Sequence, residues 1–208
     1  GNEFFDAIPI KQFKNKKGQI FERCLKINKS SSMKTTLRKA SNKICKKLRK
    51  FNLINNNSII EYPELGFKEL EIIIKIIKKF GGGLLLIDYG FLKQKGKNTL
   101  QSVKSHKKNK VFSNLGSADI TSLVNFSLLE QYFKANNLMI NKIVSQSFFL
   151  KRLGIVKRAE ILGENMSFKD KSDLYLRLKR LLHPKQMGEL FKVVFTYKLK
   201  KKFSLGFK

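Results

Sequence analysis

The segment that most constrains this chain is a helix that stops on three glycines and runs straight into four consecutive branched apolar residues. Between Phe67 and Phe80, Leu70, Ile73, Ile74 and Ile77 fall at i, i+3, i+4 and i+7, while Glu69, Lys75, Lys78 and Lys79 take polar positions. The spacing predicts an amphipathic helix with one buried face. Gly81-Gly82-Gly83 ends it, and Leu84-Leu85-Leu86-Ile87 follows as a short continuous apolar run leading to Asp88-Tyr89-Gly90. Such a run suits a strand buried on both faces in a parallel sheet covered by helices. Helix, tight turn, buried strand and acidic loop make half of an α/β unit. The glycines do not read as a phosphate cradle. Phosphate loops follow a strand and open a helix, so that amides and helix dipole face the anion, and here the order is reversed.

The remaining segments extend that unit. Ile8, Ile10 and Phe13, then a turn at Lys17-Gly18, then Ile20, Phe21, Leu25 and Ile27 predict a hairpin. Residues 29–62 read as a loop-rich insertion, Ser-, Asn- and Lys-rich, with one short helix over Lys43–Lys50, and 91–117 as a long polar loop. A helix is expected from Asn125 to Asn136-Asn137, a strand over Leu138–Val144, and short helices over Phe148–Leu153 and Val156–Leu162. A helix capped by Ser167 should carry Leu174, Leu178, Leu181 and Leu182 on one stripe, and Leu190–Leu199 reads as the last strand. The expected organisation is one domain over 1–199 followed by a basic tail at 200–208. No apolar stretch is long enough to span a bilayer.

Composition narrows the partners. The formal net charge is +29, which ordinarily points to nucleic acid or anionic membrane. Of the 44 basic residues, however, 7 are Arg and the rest Lys, and the lysines are spread over almost every segment. A nucleic-acid footprint gathers on one face and favours Arg. The mixture, rich in Asn and Ile as well, is what codon bias in an AT-rich genome produces, and nucleic acid is not the expected partner. Cys24 and Cys45 lie far apart and near neither histidine, so no metal site or redox pair is expected.

In open α/β sheets ligands sit beyond the carboxyl ends of parallel strands, so polar residues that directly follow strands are the first candidates. Two places qualify: Asn2-Glu3-Phe4-Phe5-Asp6 and Asp88-Tyr89-Gly90. An acidic and amide cluster interrupted by two phenylalanines can hold a cationic group between carboxylates and aromatic faces. The structural alternative is that Phe4 and Phe5 are core, Glu3 and Asp6 solvated turn residues and Asn2 a cap. His106 has no triad or metal partner at a usable spacing and reads first as a solvated loop histidine. Gly116–Thr121 resembles a turn that starts a helix capped by Asp119 or Thr121, or else a rim of the active site.

Six segments, in order along nearly the whole chain, resemble the MidA family of S-adenosylmethionine-dependent methyltransferases, which includes a mitochondrial complex I assembly factor. They are Asn2–Pro9, Gly82–Gly90, Thr99–His106, Gly116–Phe126, Phe148–Ile155 and Met187–Val193. Phe91, where relatives often place His, and Asn125, where they often have Asp, depart from the pattern. The resemblance implies the C-terminal half of a class I, Rossmann-like, seven-stranded α/β methyltransferase fold with helical and loop insertions. The Gly-rich cofactor loop and ribose-binding acid would lie upstream of Gly1, so the chain is expected to be a fragment that does not bind S-adenosylmethionine by itself.

The resemblance also implies an enzyme acting on a protein arginine, with a respiratory complex I subunit as the substrate of eukaryotic members. Their compartment is the mitochondrial matrix, and that of a bacterial member the cytoplasm. Methyl transfer is an in-line displacement, so the protein mainly aligns donor and acceptor and excludes water. A guanidinium acceptor needs a carboxylate that orients it and favours loss of its proton. Glu3 is the first choice, with Asp6 assisting. Asn2 would border the methionine end of the cofactor, and Asp88, Tyr89, His106, Asp119 and Thr121 would form the substrate rim. A methyltransferase fold that acts through its surface as an assembly factor, without catalysis, is the competing class.

Overall fold

The computed structural model describes residues 1–29, 33–54, 59–93, 96–105, 107–199 and 202–208. The expected hairpin forms from Lys11–Lys16 (β1) and Gln19–Ile27 (β2). Lys17 and Gly18 both have positive φ, which matches the right-handed twist of the flanking strands in a two-residue turn. Met33–Lys39 (β3) then pairs antiparallel with β2, where the sequence predicts loop. Its residues show no apolar alternation and nearly all are exposed, so the ladder to β2, not a buried face, makes it a strand. Asn42–Lys50 (α1) is capped by the Ser41 hydroxyl and buries Ile44 and Leu48, and Ile59–Tyr62 (β4) pairs with β1. Glu64–Phe80 (α2) is the predicted helix, begun slightly earlier.

Gly82–Phe91 (β5) follows the glycine stop. The stretch expected as a long loop contains Gln101–Lys104 (β6) and Lys107–Asn109 (β7), and Asp119–Thr121 (β8) stands where a helix start is expected. Strands of three or four mostly polar residues carry too few alternations to be read from sequence. The helix begins after Val124–Asn125 (β9), at Phe126–Ala135 (α3), with the Asn125 side chain accepting the Leu128 amide. The strand expected over Leu138–Val144 is two short pieces, Met139–Ile140 (β10) and Val144–Ser145 (β11), both paired with the final strand. Gln146–Arg152 (α4), Ile155–Gly163 (α5) and Phe168–Leu182 (α6) follow as predicted, α6 with Ser167 as its cap. A helical turn at Pro184–Gly188 leads into Phe191–Lys198 (β12). No helix among the described residues is long and apolar enough to cross a membrane.

The chain divides into two compact units. One comprises Asp6–Ile73 and Gln94–Leu123. Its main sheet runs β3-β2-β1-β4, and alternation sends Phe13, Ile20, Ile60 and Tyr62 to one face. That face is core: all four are buried, as are Leu48, Phe51 and Phe67, and the rings of Tyr62 and Phe67 meet edge-on at 5.2 Å. The opposite face carries Leu37, Arg23, Gln12 and Glu61 in one row, because the register sets Arg23 against Leu37 and Gln12 against Glu61. A second sheet of this unit runs β7-β6-β8.

The other unit comprises Gly1–Phe5, Ile74–Lys93 and Val124–Lys208. Its sheet runs β10-β12-β5-β9, with β12 antiparallel and β9 parallel to β5. Phe149, Val193 and Phe207 form a buried cluster against Leu85, Ile87 and Phe195. Phe207 falls within the stretch expected as a basic tail, and its ring packs 5.1 Å from that of Phe149, anchoring the end of the chain. Of the four apolar residues expected to be buried on both faces of β5, Leu86 is buried and Leu84, Leu85 and Ile87 only partly so. The seven-residue α4 and the Phe207 turn cover less of the Leu85 and Ile87 face than a long crossover helix would.

Candidate active site

The first three residues run parallel to β5: the Ile87 amide donates to the Gly1 carbonyl at 2.9 Å, and the Glu3 amide to the Ile87 carbonyl at 3.0 Å. Asn2 and Glu3 thus stand at the carboxyl end of a strand-like segment beside β5, both exposed. Glu3 has φ 47°, a left-handed conformation that costs a non-glycine residue about 1 kcal/mol or more and turns the chain sharply. Asp88 holds that turn. Its Oδ2 accepts the amides of Phe4 at 3.2 Å and Phe5 at 2.9 Å, and its Oδ1 accepts the Tyr89 amide at 2.8 Å. A carboxylate only 2 % exposed is stable here because main-chain donors replace its water. Both Asp88 oxygens are therefore engaged by main-chain amides of the turn and of Tyr89.

The two phenylalanines divide. Phe5 is buried, whereas Phe4 is 58 % exposed beside Glu3, so the alternative in which both are core holds for one of them. Tyr89 packs its ring on Phe191 at 5.5 Å. Gly90 completes the segment for a steric reason: a Cβ there would lie 2.1 Å from the Val124 carbonyl oxygen, so only glycine lets β5 and β9 pair.

The other unit begins at Asp6, which is buried and whose main-chain carbonyl accepts the Ser122 amide at 2.9 Å. Asp6, Ile8 and Pro9 line one side of a cavity of about 380 Å³, with Leu100, Ile120 and Thr121 on the other. The structure thus brings Asp6 and Thr121 to one cavity. The Thr121 hydroxyl accepts from the Gln101 side chain at 3.2 Å, while Asp119, an exposed residue of β8, does not line the cavity. His106 lies outside the described residues.

Sequence reasoning does not foresee a polar network in the same unit. Glu61 accepts the Gln12 side-chain amide at 2.8 Å, the Thr99 amide at 2.9 Å and the Thr99 hydroxyl at 2.6 Å. The Thr99 hydroxyl in turn accepts the Leu123 amide at 3.0 Å, and Arg23 donates to Gln12 Oε1 at 2.7 Å. Thr99 opens one of the six matching segments, which is a signal. Gln12, Arg23 and Glu61 come from three strands and form a row only once the register is known.

Comparison with known proteins places the chain. A family described as "Putative S-adenosyl-L-methionine-dependent methyltransferase" matches residues 1–144. The chain belongs to this family. Its members resemble the MidA group, as the motifs suggest. Among curated relatives, the mitochondrial protein arginine methyltransferase NDUFAF7 homolog of Caenorhabditis elegans is 31 % identical over 161 residues, covering 76 % of this chain and 37 % of its own. The mitochondrial protein arginine methyltransferase NDUFAF7 of Danio rerio is 27 % identical over 193 residues, covering 91 % and 44 %. The chain therefore spans less than half the length of these relatives. A crystal structure of a Burkholderia thailandensis protein bound to S-adenosyl-homocysteine superposes with a TM-score of 0.78 at 21 % identity, over 100 % of this chain and 53 % of the other. A second crystal structure from that organism gives 0.79 at the same identity. The α/β methyltransferase fold is shared with both.

Proposed function

We propose that this chain forms the acceptor side of an S-adenosylmethionine-dependent protein arginine methyltransferase, whose Gly-rich cofactor loop belongs to the part of the relatives' length that these residues do not cover. The observation that carries the reading is the Asp88-held turn, which leaves Glu3 exposed at the carboxyl end of a segment paired with β5. A carboxylate in that position suits a guanidinium: its two oxygens accept the planar group's N–H donors and stabilise the cation. Asn2, an exposed amide next to Glu3, suits the polar methionine end of the cofactor.

When bound, S-adenosylmethionine supplies a methyl group on a sulfonium. The acceptor guanidinium would have to lose a proton as it takes the methyl group, and Glu3 would draw that proton away. Asp6 and Thr121, which line one cavity of the other unit, are the next candidates for the acceptor side. Tyr89 on β5 and Asp119 on β8 are further candidates for acceptor contacts, each within its own unit, and Asp88 acts through the turn. The names of the curated relatives support a protein arginine as acceptor, in mitochondria where the organism has them. A respiratory complex I subunit is the substrate we would assay first.

Glu3→Gln in the full-length protein tests the reading. Transfer to an arginine substrate should fall by about 100-fold or more, with cofactor affinity by calorimetry within about 2-fold of wild type. Undiminished turnover would remove Glu3 from the reaction.

A further inference from the structure

Beside the Asp6 cavity lies a second one of about 300 Å³, and the two share Ile10 and Leu100 as a common wall. Strand alternation decides which side chains face it. Gln12 and Arg23 stand opposite each other on the outer face of the β3-β2-β1-β4 sheet, while Lys11 and Glu22 alternate to the core face. There Lys11 meets Glu64 at 2.8 Å and Glu22 meets Arg38 at 2.8 Å. Arg23 thus has its side chain on the outer face, and the cavity it lines is bordered by Gln12, Leu25, Thr35, Leu100 and Phe112, with Lys11 and Glu22 at the neighbouring strand positions.

Arg23 is also held ready. Its Nη1 donates to Gln12 Oε1, the Gln12 amide donates to Glu61, and Glu61 is fixed by Thr99. Among the described residues no carboxylate forms an ion pair with Arg23, because Glu61 spends its oxygens on neutral donors. A partly buried guanidinium with one neutral partner, in a cavity of mixed apolar and polar lining, retains N–H donors in a planar fork, the geometry that matches a carboxylate. A single positive charge suits a singly charged group.

We propose that Arg23 is a specificity residue: the cavity it lines receives the carboxylate of an Asp or Glu side chain of the acceptor peptide. The inference rests on the proposed arginine methyltransferase reading for the identity of the peptide, and on the geometry of the sheet for the carboxylate.

The test uses the full-length protein and fluorescein-labelled nonapeptides with a central Arg among Ala and Leu, carrying one Glu that is moved through every other position. Net peptide charge stays constant, so general attraction to a basic protein cancels between them. Anisotropy near physiological salt should show one position at which Glu binds about 10-fold tighter than at the others. Arg23→Gln should abolish that preference, and Arg23→Lys should keep part of it. Unfolding curves for both variants confirm that they are folded. Equal affinity at every position, or a preference that survives Arg23→Gln, would overturn the inference even if the peptides are methylated. A preference seen in binding without methyl transfer would instead remove the proposed activity and leave the Arg23 site standing.

Discussion

Asp88 accepts the main-chain amide of Phe5 at 2.9 Å across 83 positions of sequence. With the Phe4 amide on the same oxygen, a buried carboxylate fixes the one turn that presents Glu3. Asp88→Ala should leave these amides unpaired and destabilise the fold by about 2–3 kcal/mol in urea titrations, because hydrogen bonds to a charged acceptor are the stronger class. Asp88→Asn, which keeps one acceptor oxygen, should lose less. A loss below about 0.5 kcal/mol for the alanine variant would contradict this role.

Gly90→Ala should be more disruptive than its size suggests. The added methyl would meet the Val124 carbonyl oxygen at 2.1 Å and the Phe126 ring at 2.9 Å, so β9 has to move away from β5. We expect a loss of about 2 kcal/mol or more and reduced amide-exchange protection at Val124 and Asn125. Unchanged protection would show that the pair tolerates a side chain.

How far the sequence reveals this fold depends on how much of each element's stability is local. The helix ending at Phe80, the glycine stop, the Asn125 and Ser167 caps and the Lys17-Gly18 turn are all legible because the determining residues lie within a few positions. β3 and β6 to β8 are not, since a pairing partner, rather than an apolar pattern, makes them strands. The site behaves likewise. Glu3 and Asp6 are candidates from their position after a strand and from family resemblance, whereas the hydrogen bonds of Asp88 require knowing that residues 83 apart meet. Arg23 has no local signal at all, since the row it joins exists only in register.

Thr99→Val should weaken the unit built on β1 to β4 and β6 to β8. It removes a 2.6 Å donor to Glu61 and the acceptor of the Leu123 amide while keeping the side-chain volume. A loss of about 1–3 kcal/mol is expected, and Thr99→Ser, which retains the hydroxyl, should recover most of it. If serine restores nothing, the methyl group rather than the hydroxyl matters.

Glu64 gives a pH signature. Hydrogen bonds from Lys11 and Lys47 hold its carboxyl down at about 2, below the ordinary 4.5, and the same contact with Glu64 raises Lys11 above 10.5. A carboxyl lowered by folding stabilises the native state above its unfolded value and loses that contribution as pH falls from about 4.5 towards about 2. The lysine contribution is present below 10.5 and fades as pH rises through its elevated folded value. Glu64→Gln should therefore cost about 1 kcal/mol or less at neutral pH, these pairs being partly exposed, with the difference from wild type closing in acid. A gap that persists undiminished in acid would assign the effect to packing.

The grip of Asp88 on the turn after Glu3 also orders events in time. Translation delivers residues 1–6 long before β5 exists, so a nascent chain carries its candidate acid on a segment with no fixed conformation. The turn forms only when β5 arrives to pair with it, a closure of high sequence separation and correspondingly slow. Until then the exposed carboxylate is one more side chain on an unfolded strand, and an arginine-bearing partner that met it early would find nothing aligned to receive it.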